Sequence, residues 1–178
     1  MLELSFDDLL SRLHQLDEDA YLLYDSDVRF HIIIVGGSAL ILQKYRTNAT
    51  HDIDSISVSK ELLPLLDKYD INTRAEAYIN SFPYNHEDRL KLILSGKKVD
   101  VYTISLEDVV IAKLYAARSV DMFDITTEEV LNSIDWKQLK YLATDENEAW
   151  ASRLNDTNYY VFLDTFKEYE RKYNPCAS

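Results

Sequence analysis

Phe30-His31-Ile32-Ile33-Ile34-Val35-Gly36-Gly37-Ser38, followed after the thirteen residues Ala39 to His51 by Asp52-Ile53-Asp54, is the stretch whose reading decides the fold. Phe30 to Val35 is a continuous run rich in β-branched residues, which reads as a buried strand. It stops at two glycines, and a helix is expected from about Ser38 through Tyr45. Asp52 to Val58 then alternates as a second strand. In a strand, residues i and i+2 share a face about 7 Å apart, so Asp52 and Asp54 point the same way. Two like charges on one face repel unless a cation or basic group neutralises them. Magnesium accepts one or two carboxylates together with substrate phosphates. An exposed edge strand or loop is the plain alternative for the pair.

Outward from this stretch the chain alternates helices and strands. Ser5 can cap an opening helix with Asp8 as its box partner, and Leu9, Leu10, Leu13, Leu16, Ala20 and Leu23 form its apolar stripe. His14 and Asp17-Glu18-Asp19 are expected on its wet side, and His31 inside the core. Ser59 to Tyr69 reads as a helix that tolerates Pro64 only in its first turn or two, followed by a short helix or loop through Tyr78. Arg89 to Leu94 and Val99 to Ile104, separated by Ser95-Gly96-Lys97-Lys98, give a hairpin signal. Ser105 and Asp108 start a further helix whose body is Val109 to Ala117. From Thr126 onward the pattern is helical, with starts at Asp135 and Thr157. Tyr159, Phe162, Phe166, Tyr169 and Tyr173 give the last helix an aromatic face, which packing or base stacking would explain. The expected fold is α/β in the α+β sense: a small mixed sheet flanked by helices (residues 1–124), then a helical extension (residues 125–178).

The bulk composition narrows the class. A chain of 178 residues with 47% hydrophobic content can bury a core without staples. The single cysteine, Cys176, leaves no intramolecular disulfide and no cysteine-based metal site, which suits a cytoplasmic protein. No signal-like opening is present, and the run Ile32 to Val35 is far too short to span a bilayer, so no membrane partner is expected. The net charge of −12 argues against non-specific nucleic-acid binding unless a local basic groove exists. Arg89, Lys91, Lys97 and Lys98 gather around one turn, either as such a groove or as the solvated face of a hairpin.

Two further features bear on chemistry. A strand, a glycine turn and a helix leave backbone N–H groups aimed at one spot. Missing Cβ atoms at Gly36 and Gly37 allow close approach of a phosphate, and the Ser38 hydroxyl adds a donor. Asp100 lies opposite Val99 and Val101 on its strand and needs a partner, either a metal or an ordinary Lys or Arg.

A hydrophobic strand ending in Gly-Gly, a D-x-D strand and a third acid on a later strand, over residues 30 to 104, resemble the nucleotidyltransferase superfamily. That superfamily includes DNA polymerase β and the small antibiotic nucleotidyltransferases. Arg46-Thr47 before the D-x-D strand, with Lys113, Arg118, Asp121 and Asp124 spaced along a later helix, resembles the AbiEii-type toxin branch. Val120 departs from it, since a Lys often precedes the first of those aspartates. The resemblance implies transfer of a nucleoside monophosphate from a nucleoside triphosphate to an acceptor hydroxyl, with pyrophosphate released. It makes Asp52, Asp54 and Asp100 ligands of two magnesium ions, with manganese as a substitute, and Asp100 the group that helps deprotonate the acceptor. Gly36, Gly37, Ser38 and Arg46 would bind the nucleotide. Lys113 would contact its phosphates and act in catalysis, or else lie on a solvated helix face. Arg46 could equally hold the loop, and Arg118 could simply pair with Asp121 or Asp124. The acceptor stays open between a tRNA 3′ end, a protein hydroxyl and a small molecule such as an aminoglycoside. The toxin resemblance adds a cognate antitoxin as partner. A fold that binds nucleotide or protein without turnover is the alternative reading.

Overall fold

A computed structural model describes residues 3–46, 50–145 and 157–177. Thr47 and the stretch 146–156, which the sequence reading places in the toxin-like motif and the helical tail, lie outside the described residues. The chain divides into two compact units. One comprises Met1–Ile79 with Leu90–Ile104, the other Asn80–Arg89 with Ser105–Ser178. Residues 105–124, grouped with the core in the sequence reading, therefore pack with the helical remainder.

The first unit opens with helix α1, Phe6–Leu23, whose capping box is complete. The Asp8 amide donates to Ser5 Oγ at 3.3 Å, and the Ser5 amide donates to the Asp8 carboxylate at 2.8 Å. Strand β1 is Phe30–Val35 and runs into the short helix α2, Gly36–Leu42. Strand β2, Ile53–Ile56, follows; then a 3₁₀ turn at Lys60–Leu62 leads into α3, Leu63–Lys68. Pro64 sits in the first turn of α3, where its missing N–H costs nothing, so the helix expected over 59–69 is divided rather than kinked. Strand β3 is only Ile71–Asn72, and β4, Lys91–Ser95, and β5, Val99–Thr103, form the expected hairpin. All five strands make one mixed sheet in the order β3-β2-β1-β5-β4. β1 pairs antiparallel with β2 and parallel with β5.

Register assigns the faces. Phe30, Ile32 and Ile34 lie level with Val99, Val101 and Thr103, and all six are buried. The opposite face carries His31, Asp54, Asn72, Asp100 and Tyr102. His31 is exposed there, not buried as expected, although Ile33 and Val35 on the same face of β1 are buried: the cover of that face does not extend to the start of the strand.

Two other expectations are corrected in this unit. Asp17 is not on the wet side of α1: it is 5% exposed and accepts the backbone N–H groups of Lys97, Lys98 and Val99 at 2.8, 2.7 and 2.8 Å. Lys98 is 2% exposed, its ammonium donating to the Asp25 and Val28 carbonyls, so the basic cluster is no open groove. Gly96 completes this arrangement, since a Cβ there would lie 2.3 Å from the Asp17 carboxyl carbon.

The second unit is helical: α4 Leu106–Ala116, α5 Ser119–Ile125, α6 Glu128–Ser133, α7 Trp136–Thr144 and α8 Thr157–Tyr173. Ser105 and Asp135 cap α4 and α7 as their sequence signals predict, accepting from the Asp108 and Gln138 amides. Ala117 ends α4 in the left-handed region, with φ 51°. On α8, Tyr159, Phe162, Phe166 and Tyr169 are buried, and the Tyr169 hydroxyl donates to the Ile125 carbonyl at 2.6 Å. That aromatic face is packing. Arg89 belongs to this unit and is bidentate to the buried Asp108, at 2.7 and 3.0 Å. Among the described residues no helix is long and apolar enough to cross a membrane.

Candidate functional site

Pairing of β1 with β2 sets Val35, the last residue of its strand, level with Asp54. β3 sets Asn72 level with Asp54 on the other side. The chain leaves β1 at Gly36, whose φ of +65° only glycine adopts readily. A Cβ on Gly36 would lie 3.3 Å from Asp54 Oδ2, so the carboxylate rests against the bare face of the turn. At Gly37 a Cβ would lie 2.8 Å from Arg46 Nη1 and 3.7 Å from Thr50 Oγ1. Gly36, Gly37, Arg46 and Asp54 are thus brought together by the strand order and by the loop that returns from α2. Because α2 has only seven residues, the half-buried Arg46 is the fixed positive charge closest to the turn that geometry identifies.

Thr50 holds the entrance to β2. Its backbone exchanges hydrogen bonds with Leu4 at 2.6 and 3.1 Å, and its hydroxyl donates to the Asp52 carbonyl at 3.3 Å. Asp52 is half-buried and borders a cavity of about 450 Å³, also lined by Arg12, His51, Asp70, Asn72 and Arg74. Arg12 reaches this cavity from α1, donating to the Tyr69 carbonyl at 3.1 Å and to Asp70 at 3.2 Å. Arg12, Thr50 and Asn72 were not legible as site residues. Arg12 looks like any polar position of an amphipathic helix, and β3 is too short to show a period.

The remaining expected residues are placed elsewhere or otherwise engaged. Asp100 is level with His31, at the start of β1, whereas Asp54 is level with Val35 at its end. Four residues of strand amount to about 13 Å, and β1 lies between the two acids at about 4.8 Å per strand spacing. Metals that share ligands lie about 4 Å apart, so Asp100 is out of reach of a centre built on Asp54. Its carboxylate instead accepts from Arg29 at 2.7 Å and from the Ser95 hydroxyl at 2.9 Å. The bond to Asp100 raises the Arg29 pKa above its ordinary value. Ser38 is buried and its hydroxyl donates to the Val35 carbonyl at 3.1 Å, which makes it a brace for the turn and not a free donor.

Lys113 is neither on a solvated face nor a free phosphate contact. It lies in the second unit, 7% exposed, with its ammonium donating to Asp121 at 3.1 Å and Asp124 at 2.8 Å. Arg118 adds a second cation to Asp121 at 2.6 Å. Burial raises the Asp121 pKa, but the Arg118 and Lys113 contacts outweigh it and hold the carboxyl below its ordinary value. Among the described residues no group of three or more His, Cys, Asp or Glu is arranged to hold a metal ion.

A glycine turn resting against a carboxylate, on a five-stranded mixed sheet, is consistent with a nucleotidyltransferase core. The chain belongs to the family described as nucleotidyltransferase of unknown function (DUF6036), which matches residues 11–174. No curated protein and no solved structure matches it.

Proposed function

We propose that this chain transfers a nucleoside monophosphate from a nucleoside triphosphate to an acceptor hydroxyl. The observation that carries the reading is the Asp54 carboxylate lying 3.3 Å from where a Gly36 side chain would start, beside an arginine over Gly37. That arrangement offers a place for a phosphate next to a carboxylate, which is useful only if a cation joins the two.

Magnesium fits the donor set. Asp52 and Asp54 are hard oxygen ligands on one short segment, and this ion commonly takes one or two carboxylates plus substrate phosphates. When bound it would neutralise charge on the triphosphate and lower the pKa of the acceptor hydroxyl. The chain's own residues supply the rest. With no Cβ, Gly36 and Gly37 let the Asp54 carboxylate and the Arg46 guanidinium close on the turn, Arg46 would offset phosphate charge there, and the cavity beside Asp52 gives room to a reacting group. The acceptor oxygen forms its bond to the α-phosphorus as the bond to the bridging oxygen breaks, its hydroxyl proton passes to water, and pyrophosphate departs with the electron pair of the broken bond. Asp100, Ser38 and Lys113 serve as structural residues in this account.

Within the superfamily we place the chain nearest the AbiEii-type toxins, with an antitoxin as partner. The support is the Lys113, Arg118, Asp121 and Asp124 spacing, which closes into one ion cluster. A second reading, nucleotide binding without turnover, is favoured by there being, among the described residues, no group of three or more His, Cys, Asp or Glu arranged to hold a metal ion. Incubation with each α-labelled triphosphate, magnesium, and cell RNA, protein and small-molecule acceptors separates the two. Label on any acceptor supports transfer; a triphosphate-dependent rise in melting temperature without label supports binding alone.

A further inference from the structure

Charge in this chain is unevenly spread. Acidic residues outnumber basic ones 31 to 19, yet α7 and α8 line a cavity of about 660 Å³ with Lys137, Lys140, Lys167 and Arg171 against one carboxylate, Glu170. The spacing is helical: Lys137 and Lys140 are three apart on α7, and Lys167 and Arg171 are four apart on α8. Each pair therefore shares one helix face. Glu170 is taken by Lys140 at 3.3 Å, which leaves three cations at this cavity with no ion pair among the described residues. Trp136 is half-buried at the same cavity, braced against the Tyr169 ring at a centroid distance of 5.6 Å.

Two rows of cations beside a partly open indole match a nucleic-acid strand: backbone charge on one side and an aromatic surface for a base on the other. A single phosphate would not need such a volume. Carboxylate recognition favours the planar fork of arginine, whereas three of these four cations are lysines, which act as point charges toward phosphates. In an acidic chain such a patch also opposes the net field, so it has to be built locally. We propose that the α7–α8 face binds the phosphate backbone of an RNA strand. We further propose, resting on the transferase reading above, that this RNA is the acceptor.

The test uses the full chain and a fluorescein-labelled RNA hairpin with a single-stranded 3′ tail, followed by anisotropy between 50 and 200 mM salt. Three phosphate contacts on a single strand give a log–log slope near −2.1, or roughly an 18-fold loss of affinity over that range. Lys137→Gln with Lys167→Gln, both exposed and so without effect on folding, should reduce the loss to roughly 3-fold. An unchanged slope in that variant overturns the proposal, as does failure to bind RNA. Displacement of the RNA by polyglutamate at equal charge concentration would assign the face to an acidic protein and overturn it too. Asp54→Asn should bind RNA like the native chain. RNA that binds here but never receives label, while a protein or small molecule does, overturns the RNA-acceptor assignment and leaves the transferase reading standing; label on no acceptor at all refutes the transferase reading and leaves the binding face standing. Label transferred to RNA equally by the native chain and the lysine variant refutes the face alone.

Discussion

Replacing Asp17 by alanine removes the side chain that satisfies three consecutive hairpin N–H groups. The carboxylate is 5% exposed and takes Lys97 through Oδ2 and both Lys98 and Val99 through Oδ1. A hydrogen bond to a charged group contributes about 1.5 kcal/mol or more, and water replaces part of what is lost at Lys97. The expected cost is therefore about 3–5 kcal/mol. For a chain of this size each kcal/mol moves the midpoint by about 2–4 °C, so Asp17→Ala should melt roughly 10 °C lower. Asp17→Asn keeps Oδ1 as acceptor for two amides but presents an NH₂ to the Lys97 amide, and should fall between alanine and native. Burial raises the Asp17 pKa, but the bonds from Lys98, Lys97 and Val99 outweigh it, leaving the carboxyl below its ordinary value of 3.8. A depressed carboxyl stabilises the fold above its unfolded pKa and loses that contribution as pH falls below it. The gap between native and Asp17→Ala should thus be full at pH 7 and narrow below about pH 4. Thermal melts followed by circular dichroism at pH 7 and pH 3.5 measure both effects. A melting temperature for Asp17→Ala within 2 °C of native at pH 7 would refute the reasoning.

Three other outcomes follow from the same geometry. Gly37→Val meets chiefly the movable end of Arg46, with Thr50 Oγ1 at ordinary contact distance, so it should fold normally yet lose most of the melting-temperature rise that a triphosphate with magnesium gives; an undiminished rise removes the turn from the site. Lys113→Ala removes the buried cation between Asp121 and Asp124, leaving Arg118 on Asp121, and should cost about 3 kcal/mol of stability, measured by urea unfolding, with native-like solubility of the charge-conserving Lys113→Arg. Asp100→Asn should leave label transfer within about threefold of native because its partners are Arg29 and Ser95; a hundredfold loss would put this carboxylate in the reacting centre.

Local signals in the sequence reported the parts of this protein, and long-range pairing decided what they do. The run from Phe30 to Val35, the glycine turn, the hairpin around Gly96 and the caps at Ser5, Ser105 and Asp135 are local, and each forms where its residues say. Asp54 came to the glycine turn because a D-x-D strand returning antiparallel to β1 meets its end. Asp100 shows the limit: alternation correctly put it on the same sheet face as Asp54, but only register reveals that it stands at the other end of β1. Asp17 was assigned to water by its charge, Lys98 to a basic groove or a solvated face, and Lys113 to a phosphate or a solvated face. The partners that bury Asp17 and Lys98 lie 80 and 70 residues away, which no local window can display, whereas Asp121 is only 8 residues from Lys113. His31 failed for a different reason, because a continuous apolar run does not show that the cover of one face stops short of the strand's start.

Label transfer from α-labelled triphosphates by the native chain and by Asp52→Asn with Asp54→Asn, each checked for an unchanged melting curve, tests the central claim most directly. Transfer that needs magnesium and drops at least a hundredfold in the paired variant is the result this site predicts. Transfer that persists undiminished without those two carboxylates would contradict it.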